Sequence, residues 1–236
     1  MTRVEEYRAA LRALDPPAWA GFLTEHSGLP GPRGNLELAK ALAEEADAAT
    51  LDALVATDDE YLVFCGVVGL GRLLAEEADG GRRSELVERL HRHAADERWR
   101  VREAVAMALQ RLGDADLGRL VEVVGDFAAD PDPLVQRAAV AGICEPRLLR
   151  SADMARAAVR ACACVTASVA ARALESRRDA GVRTLRQALG YCWSVAVAAD
   201  PGGGLPEFLA LTASADPDVA WVVRENRRKA RLARLL

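Results

Sequence analysis

The chain has 236 residues, of which 51% are apolar but only 5% aromatic, and it carries a formal net charge of −4. Alanine and leucine dominate while Ile, Tyr, Phe and Thr are scarce, a composition that favours helices over sheets and excludes a disordered chain. No stretch of about 20 uncharged apolar residues occurs, so no membrane span is predicted. The N-terminal segment mixes acidic and apolar residues, unlike a signal peptide, and the expected location is therefore cytoplasmic.

Residues 1–34 are predicted to form a helical cap. The first helix ends near Leu14 at an Asp-Pro-Pro sequence, and a second short helix covers Trp19–His26 before a loop rich in glycine and proline. Arrays of helical repeats need such atypical units at their ends. The expected organisation is a single domain over 1–236, with the repeats in 35–236.

In the middle of the chain, apolar residues recur with helical spacing. Between Trp99 and Gly113 they stand at offsets of 0, 4, 7, 8 and 11, which places them on one face of a helix: Val101, Val105, Ala108, Leu109 and Leu112. Similar stripes consist of Leu86, Val87, Leu90 and Ala94, and of Leu117, Leu120, Val121, Val124 and Ala128. Gly113 is predicted to end the first of these helices.

Short acidic turns separate the stripes and recur along the chain. In each turn an aspartate precedes a valine by five positions and a small or polar residue by eight: Asp58/Val63/Gly66, Asp96/Val101/Ala104, Asp130/Val135/Ala138 and Asp218/Val223/Asn226. These sets lie 38, 34 and 88 residues apart, and 88 is two steps of 44, which indicates a helical repeat. The aspartate is expected to cap the second helix of each pair, and the small residue to let neighbouring helices approach closely.

The pattern Asp-x-x-x-x-Val-Arg-x-x-Ala, present as DERWRVREAV and more weakly as DPLVQRAAV, resembles the HEAT-repeat signature. DVAWVVREN is similar, with Asn226 in place of the usual alanine. The resemblance covers most of residues 45–236, with a degenerate unit around 165–199. It implies an all-α, right-handed α-solenoid of about five HEAT-type helix pairs.

Two further expectations concern the repeats. The residue after the valine (Arg102 and Arg224, with Gln136 in their place once) is expected to hydrogen-bond an aspartate of a neighbouring repeat. The glycine run 202–204, which lies between two prolines, is predicted to be a loop before the last helix pair.

Charge is unevenly distributed along the chain. Residues 35–80 have a net charge of −9, whereas 145–187 and 221–236 each have +5. The tail Arg224–Leu236 is predicted to form a basic C-terminal capping helix with Leu232, Leu235 and Leu236 on one face. The alternatives are contact with an acidic protein surface, with RNA or DNA, or with the acidic N-terminal half of another copy. Lys40 and Lys229 are the only lysines, a bias that indicates a GC-rich bacterial genome.

Residues suited to catalysis or metal binding are few. His91 and His93 stand two apart, so on a helix they point away from each other. The five cysteines lack zinc-site spacing and are expected to be buried thiols, and no histidine-based nucleophile motif occurs. We therefore expect no metal, no cofactor and no enzymatic activity.

Tryptophan, carboxylate and arginine recur together at two places. Trp99 precedes Glu103 by one helical turn, and Trp221 similarly precedes Arg224 and Glu225. This arrangement, completed by Arg102 or Arg137, is similar to that of the HEAT-like DNA alkylation-repair glycosylases, in which such residues line a DNA-facing cleft. The alternative is that the tryptophans fill junctions between repeats.

The sequence thus favours a non-enzymatic interaction scaffold that binds a partner protein or peptide on a concave helical surface. The alternative is a nucleic-acid-binding protein of the alkylation-repair glycosylase type; a maturation role like that of the HEAT-type bilin lyases is supported by the fold resemblance alone. The predicted partner-binding residues are Trp99, Arg102, Glu103, Arg137, Trp221, Arg224, Arg227, Arg228 and Arg231.

Overall fold

The computed structural model describes residues 1–236 and is all-α, with fourteen α-helices, three short 3₁₀ helices and no β-strand. This confirms the predicted helical class. The chain divides into two compact units, Met1–Leu112 and Gly113–Leu236, and the boundary falls inside one helix.

The first seven helices are α1 (Arg3–Arg12), α2 (Trp19–Glu25), α3 (Leu36–Glu45), α4 (Ala48–Val55), α5 (Glu60–Glu76), α6 (Gly80–Ala94) and α7 (Trp99–Ala115). The others are α8 (Leu117–Ala129), α9 (Pro133–Ile143), α10 (Ala152–Ala171), α11 (Ala180–Ala199), α12 (Pro201–Ala210), α13 (Pro217–Arg227) and α14 (Ala230–Ala233). The 3₁₀ helices cover Pro16–Ala18, Ser176–Arg178 and Leu211–Ala213.

Most helices begin at a side chain that accepts a hydrogen bond from a backbone N–H of the first turn. Aspartate supplies most of these caps, as the recurring turns predicted. The individual positions were partly wrong, however: the caps of α5, α9 and α13 are Asp59, Asp132 and Asp216 rather than Asp58, Asp130 and Asp218. In α9 and α13 a proline occupies the first helical position, so the residue directly before the proline becomes the cap.

Most residues of the predicted apolar stripes are buried, with Val87 of α6 and Val121 of α8 only half-buried. All five stripe residues of α7 are completely buried: Val101, Val105, Ala108, Leu109 and Leu112. In α8 the buried face is rotated slightly from the prediction, because Val123 and Phe127 are buried while Leu117 is exposed.

Gly113 does not end α7, contrary to the prediction. The helix continues to Ala115, and Asp116 then caps α8. A Cβ atom at Gly113 would lie 2.6 Å from Leu120 Cδ2 and 3.0 Å from Leu148 Cδ1. The glycine therefore provides room for close packing rather than a left-handed stop.

The glycine run 202–204 was also wrongly predicted as a loop. It forms the first turn of α12, because Asp200 accepts the N–H of Gly203 and Pro201 takes the first helical position. Gly204 is buried, and a Cβ atom there would lie 3.1 Å from Val159 Cγ2.

The C-terminal tail is not one helix. α13 ends at Arg227 and α14 begins at Ala230, so the tail bends after Arg228. Leu232 is completely buried, whereas Leu235 and Leu236 are exposed. The tail is thus anchored by one leucine, not by a three-leucine face.

In the first unit, α5 lies against α3, α4 and α6, and α1 packs on α3. Small residues allow the close crossings, as predicted for Gly66: a Cβ atom there would lie 2.6 Å from Val55 Cγ2 and 3.1 Å from the carbonyl oxygen of Leu51.

In the second unit, α11 is the central helix and contacts α9, α10, α12, α13 and α14. Its Trp193 is fully buried and donates its indole N–H to Thr166 Oγ1 at 2.9 Å. The degenerate repeat predicted around 165–199 falls in the end of α10, the following 3₁₀ turn and this helix.

α10 is long and apolar enough to cross a membrane by length and composition, although no such segment was predicted. Its mean hydropathy is 1.3, and 56% of the apolar window is buried inside the protein. Because core helices pass the same test, this single helix is weak evidence for a membrane span.

Candidate functional site

The four tryptophans differ in what surrounds them. Trp19 and Trp193 are buried and each donates its indole N–H to an oxygen within its own unit. Trp221 is half-buried, whereas Trp99, at the first position of α7, has 52% of its surface exposed. Trp99 is thus the tryptophan that the fold leaves open to solvent.

Trp99 forms one wall of a cleft of about 240 Å³ in the first unit. The cleft is mainly apolar, and its other lining residues are Arg33, Gly34, Leu36, Tyr61, Phe64, Arg100 and Glu103. We call it the Trp99 cleft. Of its apolar residues, Leu36 is also exposed at 40%, while the rings of Tyr61 and Phe64 are almost fully buried.

The buried rings form a fixed floor. Tyr61 and Phe64 lie one turn apart on α5 and stack with centroids 5.9 Å apart. The Tyr61 hydroxyl donates to the Asn35 carbonyl oxygen at 2.7 Å, and Gly34 lies beside the Tyr61 ring, which a Cβ atom there would contact at 3.4 Å. This burial raises the pKa of the Tyr61 hydroxyl well above its ordinary value.

Arg100 lines the cleft and packs against the exposed ring of Trp99. Its guanidinium carbon lies 4.6 Å from the centroid of the Trp99 ring, a cation–π contact. The same guanidinium donates to Glu60 Oε2 at 2.8 Å and to the Gly31 carbonyl oxygen at 3.4 Å. Because Arg100 is held at three points, the exposed indole is supported before any partner binds.

Glu103 lines the same cleft one helical turn beyond Trp99, so the structure brings this predicted pair together. Arg102 lies on the same helix as Trp99 and Glu103. It donates to the carbonyl oxygens of Asp96 and Glu97 in its own turn, at 2.6 and 2.8 Å. Gln136, for which a bond to a neighbouring aspartate was also predicted, instead donates to the carbonyl oxygen of Ala128 and to Ser168 Oγ.

Trp221 belongs to the second unit, where it fills a helix crossing as the junction interpretation predicted. A Cβ atom at Gly190 of α11 would lie 2.8 Å from the Trp221 ring, so the indole occupies the space that this glycine leaves. The Arg186 guanidinium carbon lies 4.7 Å from the ring centroid, and Arg186 is itself paired with Asp218. Arg137, on α9, is half-buried in this unit.

The other predicted arginines lie near the C-terminal end of α13. Arg224, Arg227 and Arg228 line a groove of about 480 Å³. Arg231 lies apart from it, because it donates to the Tyr191 hydroxyl at 2.9 Å and covers that ring with its guanidinium carbon 4.9 Å from the centroid.

Sequence reasoning missed most of the Trp99 cleft. Leu36, Tyr61 and Phe64 come from other helices, and nothing in the local spacing connects them with Trp99. Arg100 had a usable signal, since it stands next to an aromatic residue at a helix start. Arg33 had none.

No group of three or more His, Cys, Asp or Glu side chains is arranged to hold a metal ion. Cys65, Cys144, Cys162 and Cys192 are buried as expected, whereas Cys164 is exposed. Burial raises the pKa of the Cys65 thiol well above its ordinary value, which makes it unreactive.

No protein-family model and no curated protein matches the sequence. Two engineered proteins solved by the Northeast Structural Genomics Consortium are similar at 18% and 15% identity, with TM-scores of 0.38 and 0.37; the alignments cover 96% of this chain and 95% and 97% of theirs. A third engineered protein from that consortium has 18% identity and a TM-score of 0.36, over 98% of this chain and 57% of the other. Likeness at this level assigns neither a family nor a function.

Proposed function

We propose that this chain is a non-enzymatic protein-interaction module, built from HEAT-type helix pairs, that binds a peptide segment of a partner protein in the Trp99 cleft. The observation that carries the proposal is the half-exposed Trp99 indole, supported by Arg100 and facing an aromatic floor. Tryptophan and arginine are enriched among the residues that dominate the binding energy of protein interfaces, and tryptophan buries a large surface with little loss of side-chain freedom.

The size of the cleft favours a single anchoring side chain. Its volume of about 240 Å³ is below the range of roughly 300–1,000 Å³ typical of small-molecule sites. A bulky apolar side chain of a peptide would cover Leu36 and the open face of Trp99, the two apolar groups of the cleft that the fold leaves in water.

The charged rim indicates what flanks this anchor. Arg33 is exposed and has no ion-pair or hydrogen-bond partner in the structure, whereas Arg100 is already paired with Glu60. An acidic residue next to the apolar anchor would therefore pair with Arg33, which costs little because no existing contact is broken.

The HEAT-type interpretation is supported by local features rather than by overall form. Helices packed in sequence-adjacent pairs, such as α4 with α5 and α10 with α11, recur in both units. Aspartate caps precede α5, α9 and α13, and the predicted small positions Gly66, Ala104 and Ala138 are buried.

A second candidate is binding to DNA with base excision, because Trp99 and Glu103, two of the four residues that the glycosylase resemblance brings together, line one cleft. Charge disfavours it: the first unit contains 14 basic and 20 acidic side chains. A DNA-binding cleft needs a continuous basic surface to neutralise phosphates.

The test is selection of random peptides by phage display on the purified full-length chain, followed by fluorescence polarisation with the enriched peptides. We expect the enriched peptides to share a large apolar side chain beside an acidic one. Trp99→Ala should weaken their binding about tenfold or more. Arg33→Gln should weaken it less, and the loss should shrink as salt rises.

Leu174→Ala is the matched control, because Leu174 is a large apolar residue that is 62% exposed in the second unit. Its affinity should equal that of the wild type. Equal binding by Trp99→Ala, or no enrichment at all, would overturn the proposal. Salt-sensitive binding of a labelled DNA duplex that requires Trp99 and Glu103 would favour the second candidate instead.

A further inference from the structure

The groove at the end of α13 combines an apolar floor with a basic rim. Leu211, Ala220 and Val223 supply the floor, and three arginines and two hydroxyl side chains complete the lining: Arg224, Arg227, Arg228, Thr212 and Ser214. We call it the α13 groove. We propose that it is a second docking site, which takes an acidic segment of a partner protein with an apolar side chain at its centre.

Two of the three arginines of the α13 groove lack partners, whereas several other arginines of the second unit are bound by aspartates. Arg147 is bound by Asp114, and Arg177 and Arg186 are bound by aspartates at the start of α13. Arg224 and Arg227, by contrast, are exposed and make no hydrogen bond or ion pair. All the N–H donors of these two neighbouring guanidinium groups are therefore available to bind a carboxylate.

The third arginine and the opposite wall limit the charge of the ligand. Arg228 is shared with Glu225 at 2.9 Å, so it contributes only part of a positive charge. On the other wall, Ser214 Oγ accepts the N–H of Asp216 at 3.2 Å, which leaves the hydroxyl proton available to a carboxylate in the groove. The groove therefore matches a ligand with about two carboxylates.

The apolar floor of the groove favours a protein segment over nucleic acid as the ligand. The groove volume of about 480 Å³ accommodates an apolar side chain together with its flanking residues. A phosphate backbone has no group that would fill the space over Ala220 and Val223. The second unit has 17 basic and 15 acidic side chains, which is far from the continuous basic surface of nucleic-acid-binding proteins.

The docking site is independent of the proposed Trp99 cleft, since its residues all lie in the second unit. A protein that lacks peptide binding in the Trp99 cleft would still bind an acidic segment here. The two proposals therefore succeed or fail separately.

The test uses a fluorescein-labelled peptide of alternating glutamate pairs and leucines, with fluorescence polarisation on the full-length protein at about 50 mM and 200 mM salt. We expect binding that weakens as salt rises and that a glutamine-for-glutamate peptide does not show. The double substitution Arg224→Gln and Arg227→Gln should weaken binding about tenfold or more. Ala220→Glu, at an exposed floor position, should do the same by placing a carboxylate in the groove.

Arg160→Gln with Arg183→Gln is the matched control, since both residues are exposed arginines of the second unit without partners. This pair removes the same charge and should leave the affinity within about twofold. Absent binding by the wild type, or equal losses in the control and groove variants, would overturn the proposal. Tighter binding of a labelled single-stranded oligonucleotide through Arg224 and Arg227 would also overturn it, in favour of nucleic acid.

Discussion

The side-chain amide of Asn226 bridges two helices of the second unit by accepting the backbone N–H of Ser194 at 2.8 Å. Its Nδ2 group donates to the carbonyl oxygens of Leu189 and Val222, both at 2.8 Å, and the residue is completely buried. The position at which the repeat pattern expects alanine is therefore a hydrogen-bonded clamp between α11 and α13.

Asn226→Ala should lower the free energy of unfolding by about 1–3 kcal/mol, because it removes three buried hydrogen bonds. Asn226→Asp should cost more, since it also buries a charge. Urea denaturation followed by circular dichroism measures both. Arg160→Gln, an exposed change in the same unit, is the control, and a loss below about 0.5 kcal/mol for Asn226→Ala would contradict the clamp.

Gly71 and Gly125 should respond to alanine in opposite directions. A Cβ atom at Gly71 would overlap the backbone of Ala108, so Gly71→Ala should destabilise the first unit by about 1–3 kcal/mol. Nothing lies within 4 Å of a Cβ atom at Gly125 in the middle of α8, so Gly125→Ala should stabilise by about 0.5–1 kcal/mol. Thermal denaturation of the two variants measures both changes. Equal shifts of the melting temperature would contradict the close contact between Gly71 and the backbone of Ala108.

Arg177 should be much more important for stability than its neighbour Arg178. Only 8% of its side chain is exposed; it pairs with Asp216 and Asp218 and donates to the carbonyl oxygens of Ala170 and Arg172. Arg177→Ala leaves the part-buried carboxylate of Asp216 without its ion-pair partner, while Asp218 keeps its pair with Arg186, and it should cost about 3–5 kcal/mol. Arg178→Ala removes an exposed arginine without a partner and should change the free energy of unfolding by less than about 0.5 kcal/mol. Similar losses in both variants would show that the buried network is not formed.

Glu45 should make the first unit sensitive to acid. Hydrogen bonds from Arg12 and then Arg8 hold the pKa of this carboxyl below its ordinary value of 4.5. Because the folded pKa is depressed, the stabilisation is complete above about pH 4.5 and is lost as the pH falls through the folded value. The stability difference between wild type and Glu45→Gln should therefore shrink below that pH. An NMR titration of Glu45 that gave an ordinary pKa would contradict this prediction.

A thiol reagent should modify one cysteine of the native protein much faster than the other four. Cys164 is exposed, whereas the remaining cysteines are buried. A thiol reagent should modify one site rapidly in the native protein and all five in denaturant, and Cys164→Ser should abolish the rapid phase. Rapid modification of several thiols would show that the core of the second unit opens.

The helical class and the buried faces were accessible from the sequence, because both depend on spacing along a single helix. The stripe of α7 is buried at every predicted position from Val101 to Leu112. Aspartate caps were predicted correctly as a type, since capping is a local bond between a side chain and its own backbone. Which aspartate serves as the cap was decided by where the first turn forms, as at Asp132 before Pro133.

The tertiary structure decided the roles of glycine and tryptophan. Gly113 follows Leu112 in a pattern typical of a helix end, yet it lies inside α7. Its missing side chain leaves room for Leu120 and Leu148, which pack beside it. Trp99 and Trp221 both stand near helix starts with similar neighbours, but Trp221 packs against Gly190 while Trp99 remains half in water. The sequence determines which face of a helix is apolar, whereas the exposure of a single large side chain depends on the residue that another helix places opposite it.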